Sequence, residues 1–161
     1  MAVHLLIDGD NVGRRGPSAH LFDFDLEGGR RFLLDRLSEY RKTRVIRMTV
    51  VFEAASGLSL SRQKETYKSI EVIYSKQGET ADDVIIAAIR RKVPGLMVVT
   101  SDRAIINEAK RHGVTFMTPD RLETALDGDT EVDREDRGEK KGNPRKAPKN
   151  VRKARRMIKK V

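Results

Sequence analysis

Short apolar runs alternate along this chain with longer segments in which apolar residues recur every three or four positions. The apolar runs cover residues 3–7, 45–52, 70–74, 96–100 and 114–117. Runs of this length, several of them rich in β-branched residues, are typical of strands buried on both faces of a parallel sheet. We therefore predict strands one to five at these positions.

The longer segments predict amphipathic helices that cross between the strands. The helix at 80–92 has acids in its first turn and bases in its last, an order that complements a helix dipole. Gly113 follows the next helix at the position where glycine commonly ends one. Thr118 and Pro119 supply an N-cap and a first-turn proline for the last helix. The predicted helices lie within residues 27–42, 80–92, 103–112 and 118–126.

Strands that alternate with helices predict a parallel sheet covered on both faces, because right-handed crossovers allow few other topologies. We predict a three-layer α/β domain over residues 1–126 with a central sheet of about five strands in the order 3-2-1-4-5. Residues 127–161 lack the apolar pattern, and we predict a charged flexible linker followed by a tail.

Composition narrows the chemistry and the expected setting. The chain has no cysteine, so disulfides, thiolate nucleophiles and zinc–thiolate sites are excluded, and a reducing compartment is expected. The first residues lack a basic segment before their short apolar run, and no run approaches bilayer length. We expect a soluble cytoplasmic protein with no membrane association.

The net charge of +9 is concentrated at one end of the chain. Residues 138–161 hold 11 of the 33 basic residues and one of the 24 acids, which gives this segment +10 and leaves the remainder at −1. Such a density of cations is typical of polyanion binding, and its apolar positions fit a helix formed on binding. We predict that it binds RNA or the ribosome through Lys140, Lys141, Arg145, Lys146, Lys149, Arg152, Lys153, Arg155, Arg156, Lys159 and Lys160.

Acidic residues follow the strands that would flank the reversal of strand order. Asp8 ends strand one and Asp102 follows strand four, and Asp82 and Asp83 open the helix at 80–92. Ligands of open parallel sheets bind beyond the carboxyl ends of the strands at this point. Clustered carboxylates are favourable when a hard divalent ion such as Mg²⁺ or Mn²⁺ neutralises them, and such ions hydrolyse phosphodiesters without a protein nucleophile.

Four short motifs, LLIDGDN, VVFEA, GETADD and VVTSD, resemble in their order and spacing the YacP-like branch of the NYN family within the PIN-like nucleases. The resemblance spans residues 3–126 and implies a PIN-like fold with metal-dependent endoribonuclease activity. It assigns catalytic roles to Asp8, Asn11, Asp82 and Asp102, of which the three aspartates are implied metal ligands.

Three further acids are weaker candidates for the metal, namely Asp83 and Glu79 beside the matched helix position and Glu53 at the end of strand two. The motif position that is often aromatic in the family is Asp10 here. Thr100, next to a helix start, is predicted to act as a cap.

Two other functions remain open at the level of sequence. IDGDN also fits a phosphohydrolase of the haloacid dehalogenase type, with Asp8 as nucleophile and Asp10 as general acid. That family needs a later catalytic lysine and an acidic motif directly after a strand, whereas the ADD motif here opens a helix. The other rival is an RNA-binding adaptor that keeps the fold without cutting, against which the intact acids argue.

Overall fold

The computed structural model describes residues 3–54 and 59–138, with side chains through residue 128, so the eleven predicted RNA-binding cations lie outside the described residues. The chain divides at Pro119 into two compact units, Met1–Pro119 and Asp120–Val161. The elements are β1 Val3–Asp8, α1 Gly9–Gly13, α2 Ala19–Phe24, α3 Leu26–Arg41, β2 Ile46–Phe52, β3 Gln63–Tyr67, β4 Ile70–Tyr74, α4 Ala81–Arg90, β5 Leu96–Val99, α5 Arg103–Arg111, β6 Thr115–Met117 and α6 Pro119–Gly138.

The sheet has six strands in the order β3-β4-β2-β1-β5-β6. All neighbours are parallel except β3, which pairs antiparallel with β4. The five predicted strands are β1, β2, β4, β5 and β6, and their predicted order is confirmed. The crossing from β2 through β1 to β5 places the carboxyl ends of β1 and β5 side by side, where the direction of strand succession reverses.

The sixth strand, β3, was not predicted. It consists of the polar residues QKETY on the sheet edge and is mostly exposed, so it carries no apolar run. It reaches β4 through a two-residue turn in which Lys68 and Ser69 have φ of 48° and 72°. Tight hairpins need such left-handed residues, but their usual marker, Asn-Gly or Asp-Gly, is missing here. The segment therefore reads in sequence as a polar connection.

Helices α1 and α2 were also missed, because the segment they occupy is polar and rich in glycine. Helix α1 is a single turn that lies close to the sheet, and a methyl group at Gly9 would overlap the ring of Phe52. Gly13 is fitted in the same way against Phe22 of α2. These glycines are therefore determined by packing, which local helix propensity does not reveal.

The core lies on both faces of the sheet. On one face, Leu6, Val51 and Val98 pack with Ile85 of α4 and Ile105 of α5. Side chains alternate between the two faces of a strand, so the neighbours of Leu6 and Val51 point to the opposite face. There α1 packs against β2 and α3. The result is the predicted arrangement of helices around a central sheet.

Helix α6, described by itself, continues to Gly138, twelve residues past its predicted end at Leu126. The apolar pattern stops at residue 126, but the following residues are rich in Glu and Arg, which favour helix without a buried face. Among the described residues, no helix combines the length and the apolar character needed to cross a bilayer.

Candidate functional site

A cleft of about 290 Å³ opens at the carboxyl ends of β1 and β5. It brings together the predicted residues Asp8, Asn11, Asp82 and Asp102, and also Glu53. Its other lining residues are Asp10, Arg14, Arg15 and Ala81. The topology explains the convergence, since two neighbouring strands end here and α4 begins beside them.

Asp8 is the last residue of β1 and has only 5 % of its surface exposed. The hydroxyl of Thr100 donates a hydrogen bond of 2.8 Å to its Oδ2. Burial raises the pKa of Asp8 to about 7, and the carboxylates of Asp82, Asp10 and Asp102 raise it further against the opposing effect of the Thr100 hydroxyl. Asp8 is therefore a carboxyl group that takes up a proton near neutral pH unless a cation compensates it.

Asp82 and Asp102 face each other across the cleft. Asp82 lies in the first turn of α4, and Asp102 caps α5 by accepting the backbone N–H of Ile105 at 3.1 Å. Burial, followed by the charge of Asp102 and a hydrogen bond between the two side chains, raises the pKa of Asp82 to about 6. The two acids thus share a proton when no cation is bound.

Thr100 links Asp8 to Asp102 and is not the helix cap that sequence predicted. It is fully buried, and its hydroxyl donates to Asp8 while accepting the backbone N–H of Asp102 at 3.0 Å. Asn11 makes a parallel link, since its Oδ1 accepts the backbone N–H and the hydroxyl of Ser101 at 2.9 and 3.0 Å. Both residues fix the start of α5 relative to β1.

Asp10 forms a buried ion pair with Arg30, which sequence reasoning missed. The guanidinium donates two hydrogen bonds of 3.0 and 2.9 Å to the two carboxylate oxygens. It also donates to the carbonyl of Glu53 and lies 4.6 Å from the centre of the Phe52 ring. The available signal was its position on the apolar face of α3, three and four residues before Leu33 and Leu34, where a charge requires a partner.

The three weaker acid candidates lie in different places. Glu53 lines the cleft, and its Oε2 accepts the backbone N–H of Ala81 at 2.7 Å, which joins β2 to the start of α4. Asp83 does not line the cleft, because it closes a capping box with Thr80. Glu79 does not line it either, because it forms a 2.8 Å ion pair with Arg62.

The raised pKa values give the metal-free cleft a defined pH dependence. Because Asp8 and Asp82 bind protons more tightly in the folded than in the unfolded chain, their contribution to stability is present below the ordinary carboxyl pKa near 4. It is lost as pH rises through the folded values of about 6 and about 7. A divalent cation in the cleft would replace the lost protons.

The donor set suits a hard divalent cation, since every side-chain donor near Asp8 in the cleft is a carboxylate or amide oxygen. No three acidic or histidine side chains within residues 3–54 and 59–138 stand close enough together to hold one ion. The aspartates instead bond to Thr100 and to one another. Binding an ion would therefore require these hydrogen bonds to be exchanged for metal–oxygen contacts.

Comparison with known proteins agrees with this architecture. A family model described as the YacP-like NYN domain matches residues 5–160. The Bacillus subtilis (strain 168) protein YacP is 33 % identical over 102 residues, which are 61 % of this chain and 59 % of that protein, so less than two thirds of the relative is matched.

Two solved structures of Rae1 (YacP) from Bacillus subtilis share the fold. One has a TM-score of 0.66 and 27 % identity, covering 85 % of this chain and 80 % of that chain. A mutant form has a TM-score of 0.69 and 23 % identity, covers 98 % of both chains and shows the fold alone.

Proposed function

Since this chain belongs to the YacP-like NYN domain family, within the PIN-like nuclease superfamily, we propose that it is a metal-dependent endoribonuclease. The observation that carries the proposal is the convergence of Asp8, Asp82 and Asp102 in one cleft, with the pKa values of Asp8 and Asp82 raised to about 7 and about 6. Acids that hold protons near neutral pH are suited to exchange them for a divalent ion.

We propose that Asp8, Asp82 and Asp102 hold Mg²⁺ or Mn²⁺. A bound ion of this kind supplies an activated water and neutralises charge on the phosphodiester. The chain's own part is to orient the acids: Thr100 directs Asp8, the α5 cap directs Asp102, and Asn11 fixes the connecting loop. Glu53, bonded to the start of α4, fixes the backbone next to Asp82.

The phosphohydrolase alternative loses its supporting residue. It needs Asp10 as a general acid, but both oxygens of Asp10 accept hydrogen bonds from Arg30, and Oδ2 also accepts the backbone N–H of Glu53. A guanidinium pair keeps a carboxylate ionised, so Asp10 has no proton to give. The non-catalytic adaptor remains as the alternative outcome of the cleavage assay.

We expect the full-length protein to cleave RNA in Mg²⁺ or Mn²⁺ and to stop in EDTA, because the carboxylates need an ion to activate water. The assay uses structured and single-stranded RNA of defined length, with DNA of the same sequence as the comparison. Cleavage that persists in EDTA would contradict the metal site. Binding without cleavage in either ion would instead favour the adaptor.

For the segment beyond the described residues, we propose that the basic arm holds RNA or the ribosome in the cytoplasm. Its 11 cations contrast with a preceding chain of net charge −1. Phosphate neutralisation by Lys and Arg supplies binding that is independent of sequence, and a tether of this kind raises the local concentration of substrate at the cleft.

Removing residues 138–161 is expected to weaken RNA binding and to flatten its dependence on salt, by about 0.7 in log–log slope per lost contact on a single strand. Cleavage of a short RNA at saturating concentration should stay nearly unchanged, because the cleft is intact. Titrations of the full-length and truncated proteins across a salt series measure both effects. Equal slopes for the two proteins would show that the arm does not contact phosphate.

A further inference from the structure

Two arginines that no sequence argument singled out line the same cleft as the three aspartates. Arg14 and Arg15 follow α1, and their backbone N–H groups bond to the carbonyls of Asp10 and Val12. Both side chains are exposed. The Arg14 guanidinium lies 5.5 Å from the centre of the buried Phe22 ring, which steadies the side chain without using its hydrogen-bond donors.

The charge of these arginines has no protein partner in the part of the chain that the structure describes. Neither guanidinium takes part in a hydrogen bond or ion pair there, whereas nearby Arg30 gives its donors to Asp10 and Glu53. Arg14 and Arg15 stay unpaired although carboxylates line the same cleft. They therefore present up to ten N–H donors to whatever enters it.

We propose that Arg14 and Arg15 bind backbone phosphates of the RNA strand and align it against Asp8, Asp82 and Asp102. The guanidinium fork matches two oxygens of a phosphate, and a phosphodiester strand is the substrate of the proposed nuclease, on which this inference rests. The cleft then has acids for a cation and arginines for the anion. The folded domain thereby contacts RNA independently of the basic arm.

The matched control is Arg91, an exposed arginine that follows the last turn of α4. Asp82 lies in the first turn of that helix, so Arg91 stands roughly 13 Å further along its axis at a rise of about 1.5 Å per residue. Arg91→Gln removes the same charge from the full-length chain without touching the cleft. It therefore reports what the loss of any surface cation does.

The experiment compares full-length wild type, Arg14→Gln, Arg15→Gln, the double variant and Arg91→Gln. Binding of a fluorescently labelled single-stranded oligoribonucleotide is followed by anisotropy in EDTA over a salt series. We expect each cleft substitution to reduce the log–log slope by about 0.7, as one lost phosphate contact does on a single strand. With Mg²⁺ or Mn²⁺ we expect the double variant to raise KM about 10-fold with kcat within about threefold, since the lost contacts act on ground-state binding.

Lysine at both positions keeps the charge but not the planar fork, so it should restore the salt slope and only part of KM. Melting curves identify a variant that fails to fold, and the lysine double variant then supplies the KM comparison. A slope and KM equal to those of Arg91→Gln would overturn the proposal. So would an unchanged slope with altered metal affinity, since the arginines would then only neutralise the acids. If wild type does not cleave RNA, the proposed function fails, while the slopes measured in EDTA still decide whether these arginines contact phosphate.

Discussion

Replacing Asp8 or Asp102 by asparagine is expected to reduce metal-dependent RNA cleavage by about 10³-fold or more, because each change removes a charged ligand from the ion. Asparagine keeps the volume, and its amide oxygen still accepts the Thr100 hydroxyl at position 8 or the Ile105 N–H at position 102. Single-turnover cleavage at saturating Mg²⁺ measures the loss. Wild-type rates in both variants would remove these acids from the site.

The same Asp8→Asn variant should be more stable than wild type in EDTA, which separates loss of chemistry from loss of fold. The pKa of Asp8 is about 7 in the folded chain, so ionising it above that pH costs folding free energy. We expect a gain of about 1–2 kcal/mol at pH 8. The gain should shrink towards pH 4, where wild-type Asp8 keeps its proton. A pH-independent difference in urea unfolding would contradict the convergence of the acids.

Two comparison variants define the specificity of that result. Asp23→Asn changes an exposed aspartate of α2 outside the cleft and should alter neither rate nor pH dependence. Glu79→Gln tests a residue that sequence suggested as a ligand but that the structure pairs with Arg62. If Glu79 has only this role, its substitution should leave cleavage near the wild-type rate.

Replacing Arg30 by methionine is expected to lower the free energy of unfolding by about 3–5 kcal/mol, because it leaves the buried carboxylate of Asp10 without its counter-charge. Both side chains of the pair are largely inaccessible, at 9 and 12 % exposure. Methionine keeps much of the packing against Phe52, so the change reports the charge more than the volume. Urea unfolding of the metal-free protein measures the effect.

The Asp10→Asn, Arg30→Met double variant serves as the control for this prediction. Removing both charges leaves no unpaired ion, so the double variant should recover at least about 1.5 kcal/mol relative to the sum of the single changes. Strict additivity of the two substitutions would show that the pair contributes no coupling. The buried ion pair would then not account for the loss.

The predictable part of the fold is the part buried on both faces. β1, β2 and β5 are apolar runs, because the sheet interior allows few other side chains, and their parallel order follows from the crossover rules. β3 is different, since a strand paired along one edge needs no apolar run and depends on Lys68 and Ser69 in left-handed conformations. α1 is defined by the fit of Gly9 against Phe52, which only the assembled sheet provides.

The candidate site divides in the same way. The positions of Asp8 and Asp102 follow from strand order alone, because both come at the carboxyl ends of neighbouring strands. Neighbouring residues on a helix point about 100° apart, so the topology does not say whether Asp82 or Asp83 faces the cleft. The three-residue spacing from Thr80 to Asp83 resembles a capping box and was the available signal. Arg14 and Arg15 carry no such signal, since exposed arginines are common on any surface.

The buried hydroxyl of Thr100 has a consequence for reading related sequences. It has one proton, and because the Asp102 N–H already occupies it as an acceptor, that proton must go to Asp8. Valine at this position would match its shape but leave a buried carboxylate and a backbone N–H unpaired. A hydroxyl two residues before the strand-end acid is therefore a covariation marker: homologues that keep both aspartates should also keep Thr or Ser here. Homologues that have lost the acids are free to carry an aliphatic residue at that position.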